Sequence, residues 1–231
     1  MTSLARLLIP ILFAATTSCS ATSSQEEPDP DDRSAGISEA DSAVNRCAST
    51  FQRRINALLR DTRLELNNFQ TSYARVLRGE LDANKVDILP FCAMNAAEFT
   101  ELRKYHDFSA ISGNTTTRFQ KLRAGDDDMM DEIHGAFAGF QWGNRLFVST
   151  SQSASGFLET VAHEVTHYLR DAHLGDYKDP QVICIEESEA YRAEILLRRP
   201  KVTARESADI HAKLRQYFDL SKLRPDSCDY L

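Results

Sequence analysis

Two histidines four positions apart, with a glutamate between them, lie in a stretch whose apolar residues recur with the period of a helix. The stretch covers residues 155–171 and reads His163-Glu164-Val165-Thr166-His167 at its centre. Ser155 can cap a helix beginning at Gly156 or Phe157. Glu159 then lies near the first turn, where a negative charge suits the helix dipole. Leu158, Val161, Ala162, Val165 and Leu169 make one apolar stripe, with Phe157 and Tyr168 at its edge. At about 100° per residue both histidines fall off that stripe and share one face, a turn apart. They are poor candidates for core filling. Two imidazoles so placed can reach one ion at about 2.0–2.1 Å, and the glutamate between them can reach a water on that ion. Ordinary surface histidines are the plain alternative, which the helical context disfavours.

Two histidines do not complete a site, since a catalytic zinc takes three protein ligands and keeps a fourth position open. Downstream, residues 186–194 read Glu-Glu-Ser-Glu-Ala-Tyr-Arg-Ala-Glu on a helical pattern that runs to Leu197 and stops at Pro200. A solvated helix face would account for the acids. However, Ala190, Ala193 and Leu197 mark a buried side, and Glu186 and Glu187 lie on or beside it. A buried carboxylate needs a partner, and a metal would be one.

Together these residues resemble the gluzincin metallopeptidases, whose helical H-E-x-x-H is followed by a second helix that donates a glutamate. Glu187-Ser188-Glu189-Ala190 is similar to the E-x-x-A third-ligand pattern, and Glu187 falls twenty residues after His167. The resemblance covers about residues 145–200. It implies an α+β, mainly helical chain: a zincin-like domain with a small sheet, an active-site helix and a glutamate helix. It also implies Zn2+ held by His163, His167 and Glu187, with Glu164 as general base in peptide hydrolysis. Glu186 and Glu189 stay open as third ligands, and His173 is a minor alternative. Tyr191 stands where relatives carry an acid or amide that braces a ligand histidine. Tyr168, His173, Tyr177 and Tyr191 are the candidate oxyanion donors. The strand expected at 145–150 either serves as a sheet edge that pairs with an extended substrate or simply supports the core.

The rest of the chain reads as helices and loops. Between residues 41 and 78 the apolar spacing predicts one long or two shorter amphipathic helices, with Gly79 as the stop. A short helix is expected over 95–106. Residues 107–140, with Gly113, Gly125, Gly135 and Gly139, read as loop-rich, and Asp126-Asp127-Asp128 as a solvated charged loop without the spacing of a calcium site.

Residues 1–18 have the three parts of an export signal: a basic start, an apolar stretch at 7–15 and small residues before Cys19. The layout resembles a bacterial lipoprotein signal with Cys19 as the lipidated residue, although Thr16 stands where such signals usually have Leu. A flexible tether is expected over 19–40, a helical segment over 41–90 and the zincin-like domain over 91–231. This implies a protein exported to a bacterial cell envelope and held to the membrane by a lipid or, after a plain secretory cut, one that is periplasmic or secreted. The other cysteines, Cys47, Cys92, Cys184 and Cys228, are an even set in an oxidising compartment, and the pairing expected is Cys47–Cys92 with Cys184–Cys228. Lys plus Arg number 27 against 34 Asp plus Glu, a net charge of -7 that argues against a nucleic-acid partner. The implied partners are a peptide or protein substrate and a membrane. Besides the peptidase, a non-catalytic envelope lipoprotein using the same fold as a binding module is the second reading. A protease acting on one dedicated partner is the third.

Overall fold

A computed structural model describes residues 35–171 and 180–217. The signal segment, Cys19, His173, Tyr177 and Cys228 lie outside the described residues. The elements are α1 (Ala35–Leu66), α2 (Ser72–Asp82), β1 (Asp87–Pro90), α3 (Ala96–Leu102), α4 (Thr115–Ala124), α5 (Asp127–Ala136), β2 (Gly139–Trp142), β3 (Arg145–Val148), α6 (Ala154–Leu169), α7 (Pro180–Leu196) and α8 (Ala204–Tyr217). Among the described residues the chain is mainly helical with one three-stranded sheet, an α+β arrangement.

Several local expectations are corrected by tertiary structure and capping. The tether was expected to reach residue 40, but α1 already begins at Ala35. Gly79 lies inside α2 and does not end it; the turn falls further on, where Asn84 takes a positive φ of 51°. Residues 107–140 hold two helices where loops were expected. Asn114 caps α4 through Thr117 N, and Gly125 ends it in the left-handed region at φ 67°. Asp126 then caps α5 through Met129 N, with Asp127 and Asp128 in its first turn. The acidic run is therefore a helix start, where its charge meets the unpaired N–H groups. In α6 the cap is Ser153, two residues before the expected one.

The strand order is β1-β3-β2, with β1 parallel and β2 antiparallel to β3. The strand expected as a substrate-binding edge is thus the central one. Both its sides are occupied, one by residues 87–90 and the other by the hairpin that turns at Gly143. The edge nearer α6 is β2.

The sheet separates two apolar clusters. On one face Ile88, Leu146 and Val148 pack with Phe157, Leu158, Val161 and Val165 of α6 and with Ile55, Leu58, Leu77 and Leu81 of α1 and α2. On the other, Phe147 joins Phe91, Phe99, Phe108 and Met129. Each such side chain, fully buried, contributes about 1.5–3 kcal/mol of transfer free energy. Ile55, Leu58, Leu77 and Leu81 therefore back the apolar stripe of α6, while Cys47, Phe51 and Leu89 belong to the other cluster. Leu169, the expected end of that stripe, is 43% exposed, while Tyr168 is half-buried against the cluster. Cys47 and Cys92 form a disulfide that ties α1 to the turn after β1, with Cα atoms 6.2 Å apart. Cys184 is also disulfide-bonded.

Candidate metal centre

Helix α6 lays its apolar stripe on the sheet and turns the histidine face toward α7. There Glu187 meets both imidazoles. His163 Nε2 lies 3.3 Å from Glu187 Oε2, and His167 Nε2 lies 3.6 Å from Glu187 Oε1. One ligand atom from each of the three residues lies within 4.8 Å of the others. A tetrahedral ion bound at about 2.0–2.1 Å needs its ligand atoms roughly 3.3–3.4 Å apart. Two imidazole nitrogens and a carboxylate oxygen are a donor set that zinc accepts, and here they lie within 4.8 Å of one another.

The other acids of the segment are engaged elsewhere. Glu186 takes a two-pronged bond from Arg170, at 2.6 Å from Nε and 2.9 Å from Nη2. Glu189 faces Arg192 at 4.0 Å with its side chain 39% exposed. Neither belongs to the three-residue group. Of the candidate oxyanion donors, Tyr168 packs toward the main core. Tyr191 stands edge-on to His163, with ring centroids 4.8 Å apart and Lys213 Nζ over its own ring at 4.7 Å.

Glu164 is buried beside β2. A Cβ on Gly139 would lie 2.6 Å from Glu164 Oε1 and 2.7 Å from Thr160 Cγ2, so only glycine lets the edge strand approach this closely. Burial pushes the Glu164 carboxyl up to about 7; His163 opposes this, and Glu187 and Glu194 add to it. Burial disfavours a charged His163, but its bonds to Glu187 and Glu194 outweigh that and raise its pKa well above the ordinary value. His167 is driven the other way, down to about 4, by burial and by His163, against the pull of Glu187. Burial works against an ionised Glu187, yet the bond and charge of His163 hold its pKa below normal. Three carboxylates thus converge on two imidazoles in a shielded place and favour one positive charge there.

Glu194, which the sequence did not single out as a site residue, accepts a hydrogen bond from His163 Nδ1 at 3.0 Å. It holds the His163 ring from the side away from Glu187, where the resemblance points to the position of Tyr191. Its signal was helical: it stands seven residues after Glu187, two turns along the same face of α7. His167 Nδ1 is buried and has no hydrogen-bond partner among the described residues.

No protein-family model matches this chain, and neither a curated protein nor a solved structure matches it.

Proposed function

We propose that the chain is a zinc-dependent metallopeptidase of gluzincin type, exported and anchored to the cell envelope through Cys19. The observation that carries the reading is the meeting of His163 Nε2, His167 Nε2 and the Glu187 carboxylate, with the buried Glu164 one residue along the same helix. His163, His167 and Glu187 hold the metal. When bound, zinc acts as a Lewis acid that makes water a usable nucleophile near neutral pH.

The protein's own groups do the rest. Glu164 takes a proton from the attacking water on a carboxylate oxygen and delivers it to the leaving amine as the C–N bond breaks. Burial favours the protonated form of this carboxyl, the form that donates to the leaving amine. Glu194 keeps His163 in the tautomer with Nδ1–H, which leaves Nε2 free to coordinate. Strand β2 is the outer strand on the Glu164 side, and an extended peptide added there would pass Gly139 and reach that carboxyl. Residues 1–19 support the envelope location through their signal-like layout.

The test is a pair of measurements on purified protein. Metal analysis should find one zinc per chain. Glu164→Gln should keep the zinc and lose at least about a hundredfold in peptide hydrolysis against a broad peptide library. A Glu164→Gln protein with full activity would falsify the mechanism.

A further inference from the structure

The two histidines are held from behind by a residue from a distant part of the chain. Tyr73, on α2, donates its hydroxyl hydrogen to Ala162 O at 2.6 Å. The Tyr73 hydroxyl oxygen also lies 2.6 Å from Thr166 Oγ1, whose single hydrogen can go either to that oxygen or to Ala162 O at 2.8 Å. Ala162 directly precedes His163, and Thr166 directly precedes His167. One phenol therefore touches the backbone just before the first histidine and the side chain just before the second.

The location matters for helix geometry. A threonine hydroxyl that bonds back to the carbonyl four residues earlier loosens and bends the helix at that turn. Ala162 O would be such a weak point, in the turn that fixes the spacing of the histidine rings, whose centroids are 5.0 Å apart. Tyr73 offers the Thr166 hydroxyl an acceptor other than that carbonyl, and it packs half-buried on the main core. Burial raises the Tyr73 pKa far above its ordinary value, so the hydroxyl keeps its hydrogen across any working pH. Its neighbour Thr71 donates to Leu197 O, just past the end of α7, at 3.0 Å. The start of α2 thus grips both helices that carry the candidate ligands.

We propose that Tyr73 is a positioning residue that sets the spacing of His163 and His167 and with it the affinity of the three-residue group for zinc. This rests on the metallopeptidase reading, and the test separates the two. Zinc affinity is measured by competition with a chromophoric chelator in wild type and Tyr73→Phe, alongside the visible spectrum of the cobalt-substituted proteins and the unfolding midpoint of the metal-free ones. The expected result is about tenfold weaker zinc binding in Tyr73→Phe, in the range for supports behind metal ligands, with a shifted cobalt spectrum. Thr166→Ser, which keeps the hydroxyl, should restore both to the wild-type range when compared with Thr166→Val.

A Tyr73→Phe protein that melts earlier yet binds zinc within twofold of wild type, with an unchanged cobalt spectrum, overturns the inference and leaves the metal reading intact. Absence of zinc binding in wild type overturns the metal reading and this inference together. If Tyr73→Phe does not fold, fluorotyrosine at position 73 keeps the shape and alters only the donor strength. It must then shift the cobalt spectrum, and an unchanged spectrum overturns the proposal.

Discussion

Glu194 Oε1 accepts from His163 Nδ1 at 3.0 Å, while Glu187 faces the opposite nitrogen of the same ring. One helix, α7, thus reaches the ring from two sides with carboxylates two turns apart. Glu194→Ala should weaken zinc binding by about 10–100-fold. Glu194→Gln keeps an oxygen that can accept from Nδ1 and should lose less. Chelator competition distinguishes the two; equal losses would show that charge, and not orientation, is what Glu194 supplies.

In metal-free protein, Glu164 makes stability depend on pH with a definite sign. Its carboxyl is held at about 7, mainly by burial, against 4.5 in the unfolded chain. Between those values the folded state keeps a proton that the unfolded state has lost. The stability linked to this group is complete below about pH 4.5 and is lost as pH rises through about 7, on the order of 3 kcal/mol in all. Urea denaturation of chelator-treated protein between pH 5 and 8 should show wild type losing stability relative to Glu164→Gln. Parallel curves would contradict the burial of this carboxyl.

Gly139→Ala should harm turnover more than folding. The added methyl would meet Glu164 Oε1 at 2.6 Å, Thr160 Cγ2 at 2.7 Å and Glu164 Cγ at 2.8 Å. Overpacking of this kind costs about 1–3 kcal/mol of stability. Because the carboxyl is what must move, kcat should drop by more than tenfold while zinc content stays at wild-type level. Steady-state kinetics with metal analysis on the same sample checks both.

The Cys47–Cys92 bond closes a loop between residues 45 apart in sequence, worth about 4 kcal/mol in the chain-entropy account. Cys47→Ser/Cys92→Ser should unfold at a correspondingly lower denaturant concentration. Both cysteines pack in the cluster built around Phe91 and Phe99, on the sheet face away from α6. Zinc affinity of the folded double variant should therefore match wild type.

Local signals made the candidate site partly readable. His163, Glu164 and His167 follow from four-residue helical spacing; the buried side marked by Ala190, Ala193 and Leu197 points to Glu186 and Glu187 alike, and only the resemblance to the E-x-x-A pattern selects Glu187. What stayed hidden was non-local. Whether β3 is an edge depends on residues 87–90, more than fifty positions earlier in the chain. The role of Glu194 depends on a ring 31 positions away. Helices α4 and α5 were missed because their glycines read as breakers. Gly125 does end α4, but Gly135 lies inside α5, and α4 buries only Leu122, too little for a periodic stripe.

The grip of α2 on two partners has a bearing on any attempt to shorten the protein. Every side chain expected to perform chemistry lies beyond residue 160, so a fragment beginning near β1 would carry the full reactive set. It would nonetheless lack Tyr73 and Thr71, together with Ile55 and Leu77, which share a core cluster with Val161 and Val165. The candidate ligand group and the segment that backs it therefore stand as one structural unit, and a different sequence over the first eighty residues would disturb the group without changing any of its side chains.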